Sequence, residues 1–322
     1  MSRAVLEPGA PSERAPGAGS RPAWAGTLGP DAAAGDVVRA VLRPLVVHLR
    51  SLELPLRAGD DEAVHDARTV TRRLRTVASV GRPALEADAA RAVGSALREL
   101  GHALGAVRDP TVEARALRRD LADQPAGFAG GPADRLAADR DAARTAALAD
   151  LVRLLDSPRH ARLVDALDAL DAAPGGPQAD REATAPLLAR CRREWRRFAR
   201  AMAVADAATP GAALDEALHR ARKAARRARY ATELAAYRDP VAAARSARRA
   251  AAVQDALGVQ HDTVVRRATL RRVAARAQLD GEDDFVYGRL DALAQREGER
   301  AHDDARRAGR RALRPGHRRW MR

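Results

Sequence analysis

Two stretches of the chain carry the same set of anion-binding groups at the same spacing. The first runs Val64-His65-Asp66-Ala67-Arg68 and on to Arg72-Arg73-Leu74-Arg75. The second runs Leu218-His219-Arg220-Ala221-Arg222 and on to Arg226-Arg227-Ala228-Arg229. Both read His-x-x-Arg-x-x-x-Arg-Arg-x-Arg, at an offset of 154 residues. A guanidinium presents a planar fork that meets two phosphate oxygens at once. Histidine among several cations is mostly neutral near pH 7 and contributes hydrogen bonds rather than charge.

These spacings acquire meaning on a helix. At about 100° per residue, Arg68, Arg72 and Arg75 fall within about 80° of His65, while Val70, Leu74 and Ala78 fall on the opposite side. The second copy places Arg222, Arg226 and Arg229 beside His219, adds Lys223 and the phenol of Tyr230, and contains no acid from His219 to Tyr230. Like charges three and four residues apart repel by tenths of a kcal/mol per pair. A fixed external polyanion relieves that repulsion. Between the copies Asp66 is replaced by Arg220, Thr69 by Lys223 and Leu74 by Ala228, while the basic positions stay. A packing constraint would have kept Leu74 rather than Arg75, so ligand binding is the better reading.

A second motif follows each first one. Leu104-Gly105-Ala106-Val107-Arg108-Asp109 matches Leu257-Gly258-Val259-Gln260-His261-Asp262 at an offset of 153, and Val112, Leu117, Arg118 and Arg119 match Val265, Leu270, Arg271 and Arg272. Two motifs in one order at nearly one offset read as a tandem duplication divided near Pro174 to Pro177. Arg108 and the pairs Arg118-Arg119 and Arg271-Arg272 extend the candidate basic surface.

The elements that must carry these groups are helices. Of 322 residues 78 are alanine, aromatics are 3%, and β-branched content is low, which excludes a large β-sandwich or barrel. Pro- and Gly-rich marks separate amphipathic segments of roughly 15 to 28 residues. Asp36, Asp60, Asp134, Ser157, Thr209 and Asp239 stand where N-caps are expected. The expected organisation is a disordered Pro/Gly-rich arm over 1–35, a first helical half over 36–173, a linker over 174–184, a second half over 185–306 and a fraying basic tail over 307–322. The motif helices are expected at 62–80 and 213–237.

Charge and compartment narrow the partner. There are 57 basic and 43 acidic residues, for a net +14, and all the basic ones except Lys223 are arginine. An anionic partner follows. The one cysteine, Cys191, cannot close an intrachain disulfide. No apolar run reaches the roughly 18 residues of a membrane span, and the first 30 residues lack a hydrophobic signal core. A soluble cytoplasmic protein is the expectation.

At these residues the sequence resembles the CHAD family, the conserved-histidine α-helical domain. That family's helix reads roughly Val-His-x-x-Arg-x-x-x-Arg-Arg-Leu-Arg, with a later Leu-Gly-x-Val-Arg-Asp, in two related halves. Val64 to Arg75 and Leu104 to Asp109 fit closely; Leu218 to Tyr230 and Leu257 to Asp262 drift further. The resemblance covers about residues 36 to 306. It implies an all-α fold of two tandem antiparallel helical bundles related by an internal pseudo-twofold. It further implies a basic groove or pore between them that binds inorganic polyphosphate, and association with polyphosphate granules. Members often follow a triphosphate-tunnel catalytic domain, whose Glu-x-Glu-x-Lys signature has no match here: Lys223 is preceded by Ala221 and His219 at the two acid positions. A second departure is His261 in place of Arg108.

Other chemistry is weaker. Three His-Asp dipeptides, His65-Asp66, His261-Asp262 and His302-Asp303, suggest a metal-dependent phosphohydrolase of the HD type. Yet Arg220 replaces the first Asp in the repeat, and arginines around His65 would repel a cation. There is no Gly-x-x-x-x-Gly-Lys-[Ser/Thr] and no Gly-x-Ser-x-Gly. Trp195 and Phe198 read as core, and Cys191 as an incidental thiol. Non-specific binding of double-stranded DNA offers the same phosphate chemistry and stays open as the alternative. The expectation is a non-enzymatic polyphosphate-binding accessory protein, without cofactor or metal.

Overall fold

In a computed structural model of the chain, the structure describes residues 28, 29, 31–124 and 132–321. Regular structure among them is helical, and the β pairings described are two isolated bridges. The chain is all-α. The helices are α1 (Ala34–Ser51), α2 (Glu53–Arg57), α3 (Asp61–Val80), α4 (Ala87–Ala122), α5 (Pro132–Leu155), α6 (Pro158–Ala172), α7 (Ala189–Ala207), α8 (Ala212–Leu234), α9 (Pro240–Asp280) and α10 (Phe285–Ala312). The two His-Arg motifs lie on α3 and α8, and the two Leu-Gly motifs on α4 and α9.

Local chemistry sets most of the boundaries. Asp60, Ser157 and Asp239 each accept a hydrogen bond from the backbone N–H three residues on, capping α3, α6 and α9. Asp36 and Asp134 instead fall inside the first turns of α1 and α5, where a carboxylate still favours the helix N-terminus. Gly211, not Thr209, caps α8. At 36 and 41 residues, α4 and α9 are longer than the expected segments. Pro110 is accommodated inside α4, and α9 runs unbroken until Gly281, whose φ of 71° ends it in the left-handed region.

One hydrophobic core runs through both halves. On α3 the buried side chains include Val64, Ala67, Val70, Leu74 and Val77, and on α8 they include Ala221, Ala225 and Ala228, each 0% exposed. Alanine at these positions brings the neighbouring backbones close to α8. Helix α7 contributes Cys191, Trp195, Phe198 and Met202 to the same core. Trp195 and Phe198 meet edge to face at 5.7 Å. A smaller core joins Leu117 and Leu121 of α4 to Leu270 and Val273 of α9 and Val286 and Leu290 of α10.

Two expected loose segments are fastened. Residues 174–183, placed in a linker by sequence, form a strap. It bonds Glu86 and Ala84 through Pro174 and Gly176, and it bonds Ala32, Ala34 and Gly35 through Ala183, Arg181 and Ala179. A Cβ on Gly176 would lie 2.3 Å from the Ala84 carbonyl carbon, so only glycine permits this approach. The same bonds fix residues 32–35, at the end of the expected arm; residues 1–27 lie outside the described ones. The fraying expected of the tail is corrected too. Helix α10 continues to Ala312, and Pro315–Met321 forms a 3-10 segment whose Trp320 Nε1 donates to Ser246 Oγ at 3.0 Å and whose Met321 carbonyl accepts from Arg192. Arg322 lies outside the described residues.

Trp195 Nε1 also ties α7 to α8, donating to Thr232 Oγ1 at 2.9 Å, and that hydroxyl donates to the Ala228 carbonyl at 2.7 Å. Trp195→Phe removes this buried donor and should lower the unfolding free energy by about 1–3 kcal/mol in a denaturant titration. An unchanged midpoint would mean that the bond does not hold α7 against α8.

Candidate anion-binding site

Helices α3 and α8 pack so that the first arginines of their Arg-Arg pairs come together. Arg72 and Arg226 stand in one cluster with Arg68, Arg222 and Tyr230. Burial, then the neighbouring Arg72, pushes the Arg226 guanidinium down to about 10. Burial also lowers Arg72, against the raising effect of the Tyr230 phenol, with which it shares a hydrogen bond. The groups acting most strongly on these two arginines include no carboxylate. Arg72 Nη2 donates to Thr69 Oγ1 at 3.0 Å, and its buried Nε has no hydrogen-bond partner. Tyr230 is 4% exposed, with the Arg229 guanidinium 5.5 Å from its ring centre.

The two Leu-Gly motifs supply the floor. A Cβ on Gly105 would lie 3.1 Å from Arg68 Nη1, and one on Gly258 would lie 3.6 Å from Arg222 Nη2. In both halves, therefore, the first arginine of the His-Arg motif lies across the glycine of the Leu-Gly motif. The approach is tight at Gly105 and an ordinary contact at Gly258. Arg68 is also held by Asp109, Nη1 to Oδ1 at 2.7 Å. Arg108 is lowered by burial; Arg115 and Arg68 press it further down while Asp61 supports its charge.

Histidines edge the cluster. The rings of His219 and His261 lie 4.6 Å apart at 37°. Burial lowers both, followed by Lys223 at His219 and by Arg222 at His261. His219 Nδ1 is buried without a hydrogen-bond partner. His65 is lowered by burial and then by Arg108. His261 thus occupies a place among the cations, as Arg108 does in the first half.

Not every basic residue expected at the site is free to serve it. The second arginine of each Arg-Arg pair is committed to an acid, buried at Glu194 and mostly buried at Glu233. Arg73 Nη2 donates to Glu233 Oε2 at 2.8 Å, and Arg227 donates to both Glu194 oxygens, at 3.0 and 3.2 Å, and to Ser79 Oγ at 3.1 Å. Arg118 bonds Asp141 at 2.6 Å, Arg271 bonds Asp291 at 3.3 Å, and Arg272 bonds Thr269 at 3.1 Å. These three, and the exposed Arg119, are not among the groups acting most strongly on Arg72 or Arg226. Sequence reasoning missed Arg98, which together with Arg227 disfavours the charge on Arg75, itself lowered first by burial. The signal was available, since Arg98 lies two helical turns before Gly105.

The rival metal site finds little to build on. Among the described residues no group of three His, Cys, Asp or Glu side chains converges to hold an ion. Asp66 lies 4.0 Å from His48, a half-buried contact on another helix. Cys191 is 0% exposed, and burial pushes its thiol up to about 12, the opposite of an activated nucleophile.

Comparison with known proteins agrees with this architecture. The CHAD domain family matches residues 40–271. Two curated relatives, the uncharacterized proteins MT2285 and Rv2226 of Mycobacterium tuberculosis strains, are 34% identical over 266 residues. The match takes in 81% of this chain and 50% of each relative, so the chain spans about half their length. A crystal structure of the CHAD domain from the plant Ricinus communis superimposes with a TM-score of 0.66 at 27% identity, covering 89% of this chain and 94% of that one. PptA from Streptomyces chartreusis shares the fold, with a TM-score of 0.70 at 22% identity over 86% of this chain and 99% of that one. The chain belongs to the CHAD family.

Two measurements check the electrostatics. Arg226 carries a charge that the fold disfavours, so Arg226→Gln should raise the melting temperature of the ligand-free protein. Arg73→Gln leaves the mostly buried Glu233 without its arginine, and Arg227→Gln leaves the buried Glu194 with Arg197 alone; both should lower it. A uniform loss in all three would contradict the division of roles. In an NMR titration His219 and His261 should titrate below the ordinary value of 6.5. A depressed imidazole costs stability as pH falls below the unfolded-state value, and that cost is absent above it. Arg222→Gln should therefore move the His261 midpoint upward; no movement would separate the two groups.

Proposed function

We propose that the chain binds inorganic polyphosphate along a basic groove between its two related halves, with α3 and α8 as the facing walls. The observation that carries this reading is the pairing of Arg72 with Arg226, flanked by Arg68 and Arg222, with no carboxylate among their strongest neighbours. The equivalent placing of Arg68 over Gly105 and Arg222 over Gly258 supports an internal pseudo-twofold. A linear polymer of phosphates suits a site with repeated, like-signed forks and little aromatic surface. Base stacking, the usual grip on single-stranded nucleic acid, has few partners in a chain with 3% aromatics.

In this reading Arg68, Arg72, Arg222 and Arg226 hold phosphate oxygens in bidentate fashion. Tyr230 orients Arg72, and His65, His219 and His261 donate hydrogen bonds from the margins. Bound polyanion raises the imidazole values, so binding takes up protons and tightens as pH falls. The protein acts by binding, without turnover, as an accessory to polyphosphate in the cytoplasm or on its granules. Among the described residues no helix is long and apolar enough to cross a membrane.

Fluorescent long-chain polyphosphate should bind at physiological salt, double-stranded DNA should compete for it poorly, and binding should weaken steeply as salt rises. The variant R72E/R75E/R226E/R229E should lose at least ~100-fold in affinity, as expected for several phosphate contacts. Equal competition by DNA with binding retained in the variant would reduce the interaction to diffuse charge.

A further inference from the structure

A second strip of arginines lies on α7, outside both repeated motifs. Arg190, Arg193, Arg197 and Arg200 repeat the spacing of His65, Arg68, Arg72 and Arg75, and so line one side of the helix over about 15 Å. The opposite side, with Cys191, Trp195, Phe198 and Met202, is buried. From Ala189 to Ala205 the only acid is Glu194, which is buried and already shared between Arg197 and Arg227. Arg193, Arg197 and Arg200 are exposed.

The first helix of the other half treats its arginines differently. On α1, Arg39 pairs with Asp36 at 3.6 Å and Arg43 with Asp171 at 3.0 Å. On α7 only Arg197 has an acid, Glu194 at 2.8 Å, and it shares that acid with Arg227; among the described residues Arg190, Arg193 and Arg200 form no ion pair. Arg190 feels Arg193, Arg82 and Arg197, with Glu194 as its one acidic neighbour, and burial followed by these cations disfavours its charge. The strip is a basic surface with one shared acid beneath four arginines, and it is present in one half only.

It also begins where the α3–α8 cluster ends. Glu194 accepts from Arg197 at 2.8 Å and from Arg227 at 3.0 and 3.2 Å, and Arg227 reaches Ser79 in the last turn of α3. Arg75, one turn earlier on α3, feels Arg227 and Arg98. Arg82, two residues past the end of α3, feels Arg190. Cations therefore continue from Arg68 along α3 and across its C-terminal end onto α7.

We infer that α7, with Arg82, forms a second segment of the polyanion track, engaged by the part of a long polyphosphate chain that leaves the α3–α8 groove. This rests on the polyphosphate reading and extends it: the groove sets whether the polymer binds, and the strip sets how far affinity grows with chain length. Because only one half carries the strip, the polymer exits preferentially on that side.

The test compares short polyphosphate, long enough for the groove alone, with long-chain polyphosphate. The variants are R82Q/R190Q/R193Q and a control of equal charge change on the outer face of α10, R289Q/R296Q/R300Q. The strip variant should bind the short chain as the unmodified protein does. For the long chain it should lose at least ~10-fold in affinity, and its salt slope should fall by about 2, since each lost contact removes about 0.7. The control should change neither. Equal losses on both chain lengths, or equal losses in strip variant and control, would overturn the strip and leave only net charge. If the unmodified protein binds neither chain, the groove reading itself has failed; if both chains bind and the strip variant matches it on both, the inference alone is wrong.

Discussion

The structure turns on a repulsion that the fold does not cancel. Arg72 and Arg226 approach one another from two helices, in an environment that disfavours their charge, without a carboxylate among their strongest neighbours. Elsewhere the chain neutralises arginine freely, through pairs such as Arg140 with Glu113 at 3.0 Å and Arg267 with Asp291 at 3.0 Å. Leaving Arg72 and Arg226 without a carboxylate costs stability, a cost that the proposed polyanion would offset on binding. Much of the architecture serves to hold two helices together against that force.

The means of holding them are visible one residue away. Arg73 and Arg227 follow Arg72 and Arg226 directly in sequence, but they point to Glu233 and Glu194, carboxylates at 13% and 6% exposure. These pairs reach across the interface: Arg73 belongs to α3 and Glu233 to α8, while Arg227 of α8 bonds both Glu194 of α7 and Ser79 of α3. Each Arg-Arg pair thus divides its labour, one guanidinium facing the cluster and the next clamping the helices that carry it. Alanines on α8 and the shared core beneath them provide the close packing. The strap over 174–183 fixes the passage between the halves, so the cluster is not left to a flexible hinge.

Much of this was legible in the sequence, for a physical reason. Helical periodicity reports which side of a helix is apolar, so the basic sides of α3 and α8, the buried Trp195 and Phe198, and the caps at Asp60, Ser157 and Asp239 could all be read directly. Periodicity does not report what lies opposite. Arg73 and Arg72 look equivalent in a motif, and only the tertiary placing of Glu233 separates them. Arg118, Arg271 and Arg272 were grouped with the site because they repeat, yet each meets a neighbour on its own helix or the next. Composition does not report how the linker and the tail are held. The strap owes its order to backbone hydrogen bonds, and the tail owes its order to Trp320 and Met321, neither of which a count of basic residues reveals. Gly105 and Gly258 were read as part of a motif; that the first arginine of each His-Arg motif lies beside them needed the structure.

The central claim is that the four guanidinium groups of Arg68, Arg72, Arg222 and Arg226 are a binding site for a linear polyphosphate. The most direct test is a crystal structure of the protein with long-chain polyphosphate bound. The account predicts a continuous run of phosphates between α3 and α8, with their oxygens within hydrogen-bonding distance of those four arginines. A polymer ordered on the C-terminal tail or on the outer face of α10, with the four guanidinium groups untouched, would contradict it.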